Sequence, residues 1–218
     1  MVKAMEKLGL RRDIDLALHL PLRYEDETRI TPLAQARDGA AVQIEATVVS
    51  CEVGFRPRRQ LLVVVRDADE TCTLRFFNFY PSMQKLMAVG NTVRVRGEVR
   101  GGFMGWTMVH PSVSAAGALL PNALTPVYPT SAGLPQAYLR KAIAGALGRV
   151  DLSETIAPEL LPQHEDRARF WTLQEALQFL HHPPPDVMLA TLQDHNHPAW
   201  ERLKAEELLA QQLSQLES

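Results

Sequence analysis

Three arginines in four residues, Arg56, Arg58 and Arg59, follow an aromatic ring at Phe55. Some twenty positions on, the run Leu74-Arg75-Phe76-Phe77-Asn78-Phe79-Tyr80 sets a fourth arginine among four more rings. The two groups share one chemistry. A guanidinium offers phosphate a planar fork of donors and also lies flat on a base. A ring presented to a base contributes about 1–3 kcal/mol of stacking with no preference for sequence. If Thr71 to Phe79 is a strand, period two puts Cys72, Leu74 and Phe76 on one face and Thr73, Arg75, Phe77 and Phe79 on the other. The first set reads as core and the second as a binding face, which makes Phe77 the first choice for a stacking residue. Phe76 is a second candidate, although aromatic residues on strands pack more often than they bind. Tyr80 lies just past the strand, where its phenol could stack on a base or cap the next helix. Arg94, Arg96 and Arg100 share a face by parity and would add salt-dependent phosphate contacts if that face is outward. The turn from Gly101 to Gly105, carrying Phe103, would line the same groove.

Other chemistries find no support. There is no phosphate-binding loop of the GxxxxGK[ST] type, no GxGxxG after a strand, no HExxH and no GxSxG. His181, His182, His195 and His197 lie in Pro-broken stretches without thiolates or carboxylates at ligand spacing, so a metal is not expected. Cys51 and Cys72, the only cysteines, fall on predicted strands and read as small half-buried residues rather than a disulfide or zinc pair.

The elements that must position these residues follow from hydropathy and turn chemistry. Residues 4–20 have helical apolar spacing, as one helix or two short ones, and end at Pro21. From Ala41 alternation takes over: Val42, Ile44, Ala46 and Val48 begin a strand that runs towards Val53. A second strand spans Gln60 to Arg66, a tight acidic turn leads into the third, and Pro81 opens a short helix closed at Gly90. Thr92 to Val99 and Trp106 to Val113 are the fourth and fifth strands. Three strands, a helix and two strands in about 75 residues is the layout of an OB-fold, a five-stranded β-barrel that binds oligonucleotides or oligosaccharides. The expected class is therefore α+β, with helices on both sides of the barrel. Residues 1–39 read as a helical segment and linker, 40–117 as the barrel, 118–150 as a Pro-rich connector with a helix near 139–147, and 151–218 as helices at 172–180 and 200–216.

Composition agrees with a globular chain: 218 residues, 46% hydrophobic and 22% charged. The net charge of −2 is unevenly spread. Residues 40–115 hold nine Lys and Arg against six Asp and Glu, whereas residues 116–218 hold seven against twelve. The barrel is thus the part suited to phosphates. No apolar run approaches the roughly 18 residues that cross a bilayer, and the first seven residues have no secretory h-region. The expected location is the cytosol, and a monomer is the expected state.

Several segments in order resemble the N-terminal wedge region of the RecG family of ATP-dependent DNA helicases. They are Glu6-Lys7-Leu8-Gly9-Leu10, His19-Leu20-Pro21-Leu22-Arg23-Tyr24-Glu25-Asp26, Leu74-Arg75-Phe76-Phe77-Asn78-Phe79 and Met108-Val109-His110-Pro111. Pro126-Val127-Tyr128-Pro129, Gly133-Leu134-Pro135 and Arg202-Leu203-Lys204-Ala205-Glu206-Glu207-Leu208-Leu209 complete the series. The resemblance implies that the barrel is a wedge recognising branched DNA, such as stalled forks and Holliday junctions, in recombination and repair. Aromatic residues at the end of the third strand, Phe77 with Tyr80 or Phe76, would stack on the last base pairs of the junction. It further implies that motor domains holding ATP and Mg would begin where this chain stops at Ser218, so the chain is expected to be a fragment without its own ATP hydrolysis; family members vary in how much precedes the Glu6-Lys7-Leu8-Gly9-Leu10 segment, which leaves the front open. Partners implied are branched DNA, the motor domains and single-strand-binding protein. A rival reading makes the barrel a protein-interaction module for the last two of these, motivated by the acidic balance of residues 116–218. An independent enzyme is disfavoured by the missing motifs.

Overall fold

In a computed structural model of the chain, residues 2–102, 105–157 and 171–216 are described. The elements in chain order are α1 (Val2–Lys7), α2 (Asp13–Ala17), β1 (Arg23–Glu25), β2 (Ala41–Gly54), β3 (Gln60–Asp67), β4 (Glu70–Phe76), α3 (Pro81–Leu86), β5 (Thr92–Glu98), β6 (Trp106–Val109), β7 (Ser112–Ala115), β8 (Thr125–Val127), α4 (Gln136–Leu147), α5 (Leu173–His181), α6 (Leu189–Gln193) and α7 (Pro198–Leu216). Among the described residues no helix is long and apolar enough to cross a membrane.

The chain divides into two compact units, one of residues 29–120 and one that joins residues 1–28 to residues 121–218. The segments expected before and after the barrel therefore belong to a single unit, and the Pro-rich connector is part of it.

The first unit is an α+β arrangement around a curled, mixed sheet with strand order β6-β4-β3-β2-β5-β7. β2 organises it. Its 14 residues pair antiparallel with β5 over Ala41–Thr47 and with β3 over Thr47–Gly54, and the register shifts between Val48 and Ser50. A bulge at such a position bends a strand and sharpens its twist, so one strand serves two ladders. Val42, Ile44, Ala46 and Val48 face inward, joined by Leu61, Val63 and Val65 of β3, Cys72, Leu74 and Phe76 of β4, and Val93 and Val95 of β5. Each large apolar side chain fully buried here contributes about 1.5–3 kcal/mol relative to exposure. Burial also pushes the Cys72 thiol up to about 12, consistent with a packing residue.

Two strand expectations need correction. β4 ends at Phe76, three residues before Phe79, because Phe77 leaves the ladder at the sheet rim. The single fifth strand is two: β6 pairs parallel with β4, whereas β7 pairs antiparallel with β5. The break is His110-Pro111, where His110 has φ of 49° and proline supplies no ladder donor. Pro111 packs on Gly97, where an added Cβ would lie 3.1 Å from the Pro111 Cβ, so glycine is what lets the bend close. The two outermost strands of the sheet are thus two residues apart along the chain.

The second unit is held by buried clusters, one of them joining Leu10 and Leu16 to Tyr128, Leu134, Leu139 and Ile143. Sequence patterning did not foresee β1, β8 or α6. β1 pairs with β8 although Pro126 lies opposite Tyr24. The Tyr24 hydroxyl donates to the Leu180 carbonyl at 2.7 Å. His181 is buried: Nε2 lies 2.7 Å from the Ala17 carbonyl and Nδ1 lies 2.9 Å from the Tyr128 hydroxyl. Burial lowers its pKa to about 4.

Candidate nucleic-acid interface

The β2–β3 hairpin and the end of β4 meet because of register. Leu61 pairs with Phe76 and Gly54 with Gln60, so the residues before β3 stand beside those just after β4. The arginine loop and the aromatic run, 20 residues apart in sequence, become neighbours at one rim. The Arg58 guanidinium carbon lies 3.6 Å from the centre of the Phe77 ring, and that of Arg59 lies 4.4 Å from the Phe79 ring. Such cation–π contacts contribute about 0.5–1 kcal/mol when exposed. The loop is braced at its base by buried Gln60, whose Nε2 donates to the Arg56 carbonyl at 2.9 Å.

Phe77 is half-buried and has a second neighbour that sequence reasoning missed as a site residue. The Phe77 backbone N–H donates to His110 Nε2 at 3.3 Å, and the two rings meet edge to face at 5.3 Å and 61°. The His110 backbone N–H in turn donates to the Arg75 carbonyl at 2.8 Å. The signal was present in the sequence as a His-Pro step inside an otherwise regular strand pattern.

The other candidate rings separate cleanly. Phe76 is 2% exposed in the sheet core, so it is a packing residue and its place among the stacking candidates is corrected. Tyr80 occupies the N-cap position of α3, but its side chain makes no capping hydrogen bond and is 68% exposed. Phe55, at the loop tip, is 71% exposed. Phe103 lies outside the described residues.

The arginines also fall into two groups. Arg56, Arg58, Arg59 and Arg75 are exposed and make no ion pair among the described residues. Arg94 and Arg100 are committed elsewhere. Arg94 is held by Glu45 at 2.7 Å and by the Ala118 carbonyl at 2.6 Å, and the same pairing lowers the Glu45 pKa. Arg100 pairs with Glu98. Arg96, half-buried on β5 between Gln43 and Ser112, is also engaged. Arg94 and Arg96 lie on β5, three strands from β4 in sheet order, whereas Arg100 exchanges backbone hydrogen bonds at 2.8 Å with Thr107 of β6, the strand beside β4; no described contact joins any of the three to the hairpin arginines.

Among the described residues no group of three His, Cys, Asp or Glu side chains could hold a metal ion. His195 stacks on Trp200 at 3.9 Å and His197 on Phe179 at 4.3 Å, so both are packing partners.

Comparison with known proteins gives a consistent picture. The ATP-dependent DNA helicase RecG of Escherichia coli strain K12 is 42% identical over 216 residues, covering 97% of this chain and 31% of that protein. The protein of the same name from Haemophilus influenzae is 41% identical over 214 residues, covering 96% and 30%. The chain thus spans about a third of the length of the curated relatives it matches. A solved structure of RecG bound to a three-way DNA junction superposes with a TM-score of 0.67 at 25% identity, covering 97% of this chain and 28% of that one. The family model described as the RecG wedge domain matches residues 2–150, a span that takes in the whole sheet, the arginine hairpin and the Phe77 rim, and the chain belongs to that family.

Proposed function

We propose that this chain recognises branched DNA, with the rim formed by the β2–β3 hairpin and the end of β4 placed against the strands at the branch. The observation that carries this is the gathering at one rim of unpaired arginines with Phe77, next to the exposed ring of Tyr80. Phosphate neutralisation and stacking are the two terms that bind nucleic acid without reading sequence, and a branch is defined by shape rather than sequence. The relative bound to a three-way junction supports the same ligand class.

On this reading the curled sheet is an OB-type barrel, closed where the bent fifth strand links its first and last ladders. It serves as a wedge, and its arginine hairpin corresponds to the loop through which such barrels extend their ligand groove. Strand separation at stalled forks and Holliday junctions would be driven by an ATP-dependent motor of the kind the longer relatives' name states, and we expect that motor to take Mg with its ATP. This stretch, lacking a phosphate loop, would supply the DNA contact and not hydrolysis. Single-strand-binding protein would compete for the same arginines. We further place the chain in the cytoplasm, acting as a monomer.

The test is a gel-shift comparison of fork, duplex and single-stranded DNA at low and moderate salt. A fork preference that persists at the higher salt is expected. Unchanged fork affinity in the Phe77→Ala, Arg58→Ala double variant would remove this rim from consideration.

A further inference from the structure

We infer that His110 is a positioning residue for the fork contact, its imidazole standing in for a strand to hold Phe77 at the sheet rim. The inference rests on the proposed fork contact and adds the residue that prepares it. In a parallel ladder each residue donates to the carbonyl before its partner and accepts from the N–H after it. The β4–β6 ladder stops at Arg75 and Val109, and the next pair would be Phe76 with His110. Both bonds of that pair are nevertheless made. The His110 N–H donates to the Arg75 carbonyl at 2.8 Å, and the Phe77 N–H donates to His110 at 3.3 Å, but to Nε2 of the side chain instead of the carbonyl.

The exchange of carbonyl for imidazole follows from the bend. His110 takes φ of 49°, a region that histidine enters more readily than most side chains, and Pro111 after it is seated on Gly97. The chain leaves the strand direction at the residue whose carbonyl the Phe77 N–H would have met, and the side chain covers the gap. The imidazole also meets both phenylalanines edge to face, Phe77 at 5.3 Å and 61° and the core residue Phe76 at 6.2 Å and 85°. Phe77 is thus held at its backbone and at its ring although it lies one residue beyond β4. A ring held in place before DNA arrives gives up less conformational freedom on stacking, which strengthens binding without a new contact. Nε2 can accept only while it carries no proton, so the one proton of the neutral imidazole sits on Nδ1.

Two measurements on the 218-residue chain test this. Nitrogen-15 NMR of the imidazoles in mildly alkaline solution should place the His110 proton on Nδ1, and a proton on Nε2 overturns the inference with no variant needed. In gel shifts His110→Phe, which keeps a ring and loses the acceptor, should weaken fork binding about three- to ten-fold, as loss of one hydrogen bond would. His110→Gln, whose amide oxygen can reach the same N–H, should lose about two-fold at most. In a Phe77→Ala background His110→Phe should change fork affinity by less than about two-fold, because a residue that acts only through Phe77 has nothing left to position. An equal loss in both backgrounds, or a loss in His110→Gln as large as in His110→Phe, overturns the positioning role while leaving the fork contact standing. A wild-type chain that prefers no fork over duplex overturns the functional reading, and the role of His110 in binding with it.

Discussion

Arg94 faces Glu45 across neighbouring strands, 2.7 Å from its carboxylate, and reaches past it to the Ala118 carbonyl at 2.6 Å. With only 12% of its side chain exposed, this cation ties β5 and β2 to the chain that leaves the sheet. Hydrogen bonds to charged groups of this kind contribute about 1.5–3 kcal/mol. Arg94→Gln should therefore lower the urea midpoint of the chain while changing fork affinity less than about two-fold once the folded fraction is matched, well under the loss of one phosphate contact. A large affinity loss without a stability change would return Arg94 to the binding surface.

The hairpin arginines should behave in the opposite way. Arg56→Ala is expected to leave stability within about 0.5 kcal/mol, as surface substitutions usually do, and Arg59→Ala to cost no more than its contact with Phe79, about 0.5–1 kcal/mol. Each should reduce the slope of log affinity against log salt by about one for a lost phosphate contact. Titrations at four salt concentrations read this directly.

Adjacent phenylalanines should separate folding from binding. Phe76→Ala empties a site that is 2% exposed and should cost about 3–5 kcal/mol of stability, whatever DNA is present. Phe77→Ala removes a half-buried ring with its cation–π contact and its edge-to-face contact to His110, which should cost about 1–2.5 kcal/mol, less than the loss at Phe76, and should weaken fork binding. Equal thermal melts for the two variants would contradict the packing described.

Acid should loosen the unit that joins the two ends of the chain. His181, with a pKa lowered by burial to about 4 against 6.5 for a free imidazole, is held neutral in the fold. The unfolded chain takes up its proton first, so the contribution is complete above pH 6.5 and is lost as pH falls towards 4, with an upper limit of roughly 3 kcal/mol. Urea melts between pH 7 and pH 4.5 should show this decline in the wild type and a flatter profile in His181→Gln.

How far the sequence could be read depended on whether local pattern or partner strands decided the outcome. The alternation at Val42, Ile44, Ala46 and Val48 is a property of the strand itself, and β2 begins where that pattern begins. Parity correctly separated Cys72, Leu74 and Phe76, which are buried, from Arg75 and Phe77, which are not. β1 and β8 are three-residue strands, one charged and one carrying a proline, and only their pairing makes them visible. The overlay of Arg58 on Phe77 is likewise a fact of register, since one residue's slip between β3 and β4 would separate them. The commitment of Arg94 to Glu45 required knowing that β5 lies beside the first half of β2.

The bend at His110-Pro111 also bears on how the chain behaves in company. The outermost strands of the sheet, β6 and β7, are four residues each, so neither margin offers a long run of unpaired backbone. Short margins deny a second molecule the template it would need to continue the ladder. The valine-rich interior strand, Leu61-Leu62-Val63-Val64-Val65, whose composition would favour fibrils if laid bare, is kept between β2 and β4. The same bend therefore keeps both margins of the sheet short, so the exposed rings and cations of the rim are carried by a sheet with little backbone on offer for self-association.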